Sequence, residues 1–240
     1  MIMSAAIHAG STLRLRPRRP EAEPAGFEGM ARLCAHADQA RALYELAGAT
    51  DAARLGEANL LPGISVHELL FGVPYARTVN AAFCASPPGG SRFSGPLRGA
   101  WYAALDAATA AREAAFHKAR ELREIAWKKP ESFAFEVWLA DFDADFMDLR
   151  AAGLRARALD PLGYRYSQAL ARQCLEAGAA GIVYPSVRGS GGMLACFRPA
   201  LIGALRPGAA VRVAFTGAFA APEFEWLESG EKLAPGPPAV

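Results

Sequence analysis

The chain is poor in the residues that would tie it to a metal, a membrane or a nucleic acid. Its 240 residues include only four cysteines and four histidines. Cys34, Cys84, Cys174 and Cys196 stand far apart, with no C-x-x-C pair and no histidine at zinc-finger spacing, so neither a redox pair nor a structural zinc site is indicated. A reduced, cytoplasmic protein is expected. No run of about 18 apolar residues occurs, and the first twenty residues lack the continuous apolar segment of a secretion signal, which excludes both as sequence-level expectations. Charge of one sign is also scarce, because 26 basic and 24 acidic residues leave a formal +2. A nucleic-acid face needs a dense basic stripe, and the one basic run, Arg14 to Arg19, reads as a solvated tail.

What is present points to a globular protein. A hydrophobic content of 52% can fill one large domain, or one domain with an extension. Residues 1–25 carry Gly, Pro and Arg without periodicity and are expected to form a mobile arm. Residues 26–62 form an Ala- and Leu-rich extension in which Leu33, Ala37, Leu43, Leu46 and Leu55 predict two helices, ended by Pro62 and Gly63. Residues 63–225 make up the expected main domain, and 226–240 a Pro-rich tail.

Within the main domain, Pro74 to Pro96 is too rich in Pro and Gly for long elements. "GAWYAALD" predicts a short buried strand, and Asp106 a cap for the helix "AATAAREAAFHKARELREIAW". The alternation of Phe133, Phe135, Val137 and Leu139 predicts a further strand, after which "DFDADFMD" reads as a solvated strand end. A helix closed by Gly178 and strands at "GIVYPS", "MLACF" and "VRVAFTGAF" complete the pattern. Short strands mixed with a few helices, without a βαβα rhythm, predict an α+β fold.

Several motifs lead nowhere. "HELLF" at His67 has Phe71 where a zincin needs its second ligand, and "GSGGM" lacks the G-K-[ST] of a phosphate loop. Ser186 has no surrounding G-x-S-x-G, and the acids of "DFDADFMD" lack the glycine and terminal glutamate of a calcium loop. No metal is expected.

Arg92, Tyr102, Glu113 and Ser186 form the remaining constellation. Arg92 ends a Gly/Pro-rich loop, Tyr102 lies in the short strand and Glu113 near the start of the helix, so loop, strand and helix can converge on one cleft. A guanidinium offers donors to phosphate oxygens, a tyrosine offers a face to a flat heterocycle, and a carboxylate stabilises positive charge on a ribosyl carbon. Cleavage of a ribosyl bond to nicotinamide needs such a set, through an oxocarbenium-like transition state.

Between Pro74 and Ile202 the sequence resembles the RES-domain toxins, through R-F in "GSRFS", W-Y in "AWYAALD", A-x-x-E-x-x-F-H in "AAREAAFH" and "YPSVRGSGG". The resemblance implies an ADP-ribosyltransferase-like fold of mixed, mostly antiparallel sheets with flanking helices, to which the N-terminal helical extension is added. It implies NAD as substrate, cleaved by hydrolysis or with inorganic phosphate as co-substrate, and no further cofactor. It also implies an Xre-type antitoxin as partner, and leaves homo-oligomerisation open. By position, Arg92 matches the family arginine, Tyr102 the aromatic facing nicotinamide, Glu113 the catalytic glutamate and Ser186 the serine that orients the glutamate or a ribose hydroxyl. Arg77 and Arg188 are either further phosphate contacts or ordinary surface arginines, and His117 either steers Glu113 or packs beside it. The rival readings are ADP-ribosyl transfer to a protein and a non-catalytic binding module.

Overall fold

The structure is a computed structural model that describes residues 4–18, 27–151, 156–161, 163–216 and 221–233. In chain order its elements are strand β1 (Ser4–Pro17), helices α1 (Phe27–Leu33), α2 (Ala37–Thr50), α3 (Ala52–Glu57) and α4 (Ala76–Cys84), strand β2 (Trp101–Ala104), helix α5 (Ala107–Glu124), strand β3 (Glu131–Asp148), helix α6 (Arg165–Glu176), and strands β4 (Gly181–Pro185), β5 (Gly192–Cys196), β6 (Gly203–Pro207), β7 (Val211–Phe215) and β8 (Glu223–Trp226). The fold is α+β, with a mostly antiparallel sheet flanked by helices.

The sheet runs β1-β2-β5-β4-β3-β7-β8, with β6 beside β3, and β1 also pairs with β3 so that the first five strands return on themselves. Among these pairings only β3 with β4 is parallel, through Met147 and Ile182. Strand β3 is long enough to serve several partners, meeting β7 through Glu131 to Phe135 and β1 through Phe135 to Met147. Its apolar positions Phe135, Val137, Ala140, Phe142 and Phe146 are buried, so the core follows this strand along both sheet faces.

The expected mobile arm is corrected over residues 4–17, which form β1. Its register runs antiparallel to β3 from Ser4 against Met147 to Pro17 against Phe135, with a bulge between Ala9 and Thr12. The bulge hides the alternation from a linear reading. Ser11 adopts a positive φ of 57° there, its amide N–H donates to Asp141 Oδ1 at 2.7 Å, and Thr12 Oγ1 donates to the Ala140 carbonyl at 2.8 Å. The acid-rich stretch after Leu139 is, as expected, the solvated end of β3, with Asp143 84% exposed beside His8, while Arg206 meets Asp141 and Arg150 meets Asp148. Residues 1–3 and 19–25 of the expected arm, residue 26 of the expected extension and 234–240 of the expected tail lie outside the described residues.

Three helices stand where two were expected between Phe27 and Leu60. Asp51 explains the extra start, because its carboxylate accepts from the amides of Ala53 and Arg54 and caps α3 directly behind α2. Asp106 caps α5 as its sequence predicts, accepting from the Thr109 amide and hydroxyl, both at 2.8 Å. Gly178 takes a φ of 83° behind α6, the left-handed conformation that ends a helix at least cost in glycine. No helix among the described residues is long and apolar enough to cross a membrane.

Candidate active site

Several pieces of chain meet at one cleft of about 280 Å³: β1, the loop that carries Arg92, β2, Tyr164 ahead of α6, Tyr184 and Met193 of β4 and β5, the first turns of α5 and the loop that follows β4. The last two are locked together by close packing. A side chain at Gly191 would run into Thr109 Oγ1 and Asp106 Oδ2, so only glycine lets that loop lie against the capped end of α5. This contact sets Ser186 against Glu113, nearly two turns into the helix.

Ser186 Oγ donates to Glu113 Oε1 at 2.6 Å and accepts from the amides of Arg188 at 3.0 Å and Gly189 at 3.1 Å. A serine hydroxyl has one proton and two lone pairs, so all its capacity is used. It fixes the carboxylate, and its proton is already committed, which suits an orienting residue and not a nucleophile. Burial pushes Glu113 above its ordinary value of 4.5, while the Ser186 hydrogen bond and the charges of Arg188 and Arg92 pull it partly back.

Cations surround this carboxylate. Arg92 is 7% exposed, its Nη1 donates to the carbonyl of Asp160 at 2.8 Å, and its guanidinium lies 5.0 Å from the centre of the Tyr164 ring. Arg188 stacks 3.6 Å over Phe116 and donates through Nη2 to the Pro161 carbonyl at 3.0 Å. Arg120 and His117 lie at the rim, where partial desolvation and the charges of Arg120 and Arg188 lower the histidine below its ordinary value. Among the described residues, Glu113 is the sole carboxylate in a lining that holds Arg14, Arg92, Arg120 and Arg188. Such a lining favours a ligand with several negative charges.

Tyr102 lines the cleft and anchors the neighbouring loop with its hydroxyl. That oxygen accepts from the Phe93 amide at 2.8 Å and lies 3.1 Å from Ser94 Oγ. Burial above all pushes the phenol up to about 12, so it stays protonated.

Arg77 does not join this group. It sits on α4, outside the cleft lining, and pairs with Asp51 at 2.8 Å. Arg14, read from sequence as part of a solvated tail, does join it. Its guanidinium packs 4.8 Å from the Trp101 ring centre and donates to the Tyr102 carbonyl at 3.3 Å. Burial, helped by Arg16, lowers it to about 10, which leaves it charged at neutral pH. A signal for it was present in "LRLR", where Leu13 and Leu15 alternate with Arg14 and Arg16 in the period of a strand.

A sequence model of the RES domain matches residues 69–216, more than half of the chain. The chain belongs to the RES-domain family. The matched segment contains Arg77, Arg92, Tyr102, Glu113, Ser186 and Arg188, whereas Arg14 and all of β1 lie before it. Among solved structures, the M. tuberculosis MbcT–MbcA toxin–antitoxin complex is similar at 18% identity and a TM-score of 0.39, over 54% of this chain and 73% of that chain. No curated protein matches the chain.

Proposed function

We infer that this RES-domain protein is an enzyme that cleaves the bond between nicotinamide and ribose in NAD. The observation that carries this reading is the Ser186–Glu113 hydrogen bond, 2.6 Å long, inside a cleft lined by four arginines. The arginines Arg92, Arg188 and Arg14 hold the pyrophosphate, and the Tyr102 ring takes the nicotinamide. As the C1′–N bond breaks, its electron pair passes to the ring nitrogen, so nicotinamide leaves neutral and positive charge gathers on the ribosyl carbon. The ionised Glu113 stabilises that charge, and Ser186 keeps the carboxylate aimed at it. An oxygen of water or of inorganic phosphate then bonds to C1′, and in the case of water the proton released passes to Glu113 and on to solvent. The resemblance to RES-domain toxins supports a place in a toxin–antitoxin pair, with an Xre-type antitoxin as partner.

Incubation of the purified protein with NAD, with and without phosphate, tests the reading through nicotinamide release. Release without phosphate identifies a hydrolase, and release that requires phosphate a phosphorylase. Intact NAD under both conditions, together with label transferred to a cellular protein, would replace either by ADP-ribosyl transfer to protein.

A further inference from the structure

A second depression, of about 760 Å³, lies between the 89–99 loop and the exposed side of α6. Its base is apolar, with Phe93 and Phe197 almost fully buried, and Leu97 stands on its edge 63% exposed. Its charge is of one sign. Arg98, Arg165 and Arg172 line it and, among the described residues, no Asp or Glu does. Arg98 is already neutralised, because both its terminal nitrogens donate to Glu68 at 2.8 Å. Arg165 and Arg172 are exposed, and neither meets a carboxylate among the described residues. They are seven positions apart on one helix, about 10 Å along its axis.

We propose that this groove is a docking site for an acidic segment of a partner protein, whose apolar side chain enters beside Leu97 while its carboxylates meet Arg165 and Arg172. Apolar floor and uncompensated arginines together match that occupant, since each arginine gains a charge-assisted hydrogen bond where it now faces water. Nucleic acid fits less well: two free arginines in a concave, apolar setting are not the basic stripe that a phosphate backbone requires. The groove adjoins the cleft. Tyr164 lines both, and Gln168 Nε2 donates to the carbonyls of Gly89 at 2.9 Å and Ser91 at 3.0 Å, so α6 holds the loop that carries Arg92.

The test is selection of a display library of random twelve-residue peptides on the full chain, followed by binding measurements on the selected peptides with wild type and with the double variant Arg165→Glu, Arg172→Glu. Selected sequences should be enriched in Asp or Glu next to Leu or Phe, and the double variant should bind them at least tenfold more weakly. Its melting midpoint and its NAD turnover should equal those of wild type. Peptides without acidic enrichment, acidic peptides that bind both proteins equally, or no enrichment at all would each overturn the proposal. Arginine-dependent binding of single-stranded oligonucleotides in place of peptides would overturn it too.

Discussion

In the proposed reaction Glu113 carries two opposed demands, since it would have to be ionised to face a cation and yet is buried enough to resist ionisation. Replacement by glutamine keeps the acceptor for Ser186 and removes the charge, so Glu113→Gln should bind NAD and lose about 100-fold or more in turnover. Single-turnover kinetics beside a binding isotherm separates the two effects. The same variant has a signature in stability. A carboxyl whose folded value lies above its unfolded one holds its proton more tightly when folded, so wild type loses stability as pH rises from about 4.5 through the raised value. Glu113→Gln lacks that loss, and its melting midpoint should gain on wild type between pH 4 and pH 7. Arg14 offers a test of a different kind. Arg14→Ala should raise KM for NAD about tenfold or more, the scale of a lost charge-assisted hydrogen bond of ~1.5 kcal/mol, with kcat less affected.

At the level of elements, the cleft depends on how closely the loop after β4 approaches α5. Gly191→Ala places a methyl group against Thr109 and the capping Asp106, and the clash should cost ~1–3 kcal/mol. Differential scanning calorimetry should show a lower midpoint, and turnover should fall because Ser186 shifts away from Glu113. The elements around this contact were legible in the sequence. Helix α5 has a capping aspartate and a run of helix formers, β4 and β5 are short apolar runs between turn residues, and the distal half of the site follows from Ser186 and Glu113 lying beside them. Strand β1 was not legible as a whole, because Gly10 and Ser11 interrupt its alternation at the bulge and its partner lies some 130 positions away. Arg14 was lost with it. Local patterns report which side of a strand is apolar; they do not report which distant strand lies alongside.

For the whole molecule, β1 is structural and not an appendage. It pairs with both β2 and β3 and supplies Leu13, Arg14 and Leu15 to the cleft. Removal of residues 1–17 should therefore leave a protein that fails to elute as a folded species on size exclusion and lacks the circular dichroism of wild type, whereas loss of a solvated arm would change neither. The pairing of Thr12 with Ala140 also sets a schedule for synthesis. The two are separated by 128 residues, which a ribosome adds in roughly 6 to 26 s at about 5–20 residues per second. For that interval the first strand lacks its long partner β3 and can meet only β2. Ser186 emerges later still. Under the proposed reaction, a nascent chain thus carries its arginine from the outset but gains the whole catalytic set only once Ser186 has emerged, a delay during which a binding partner can be made.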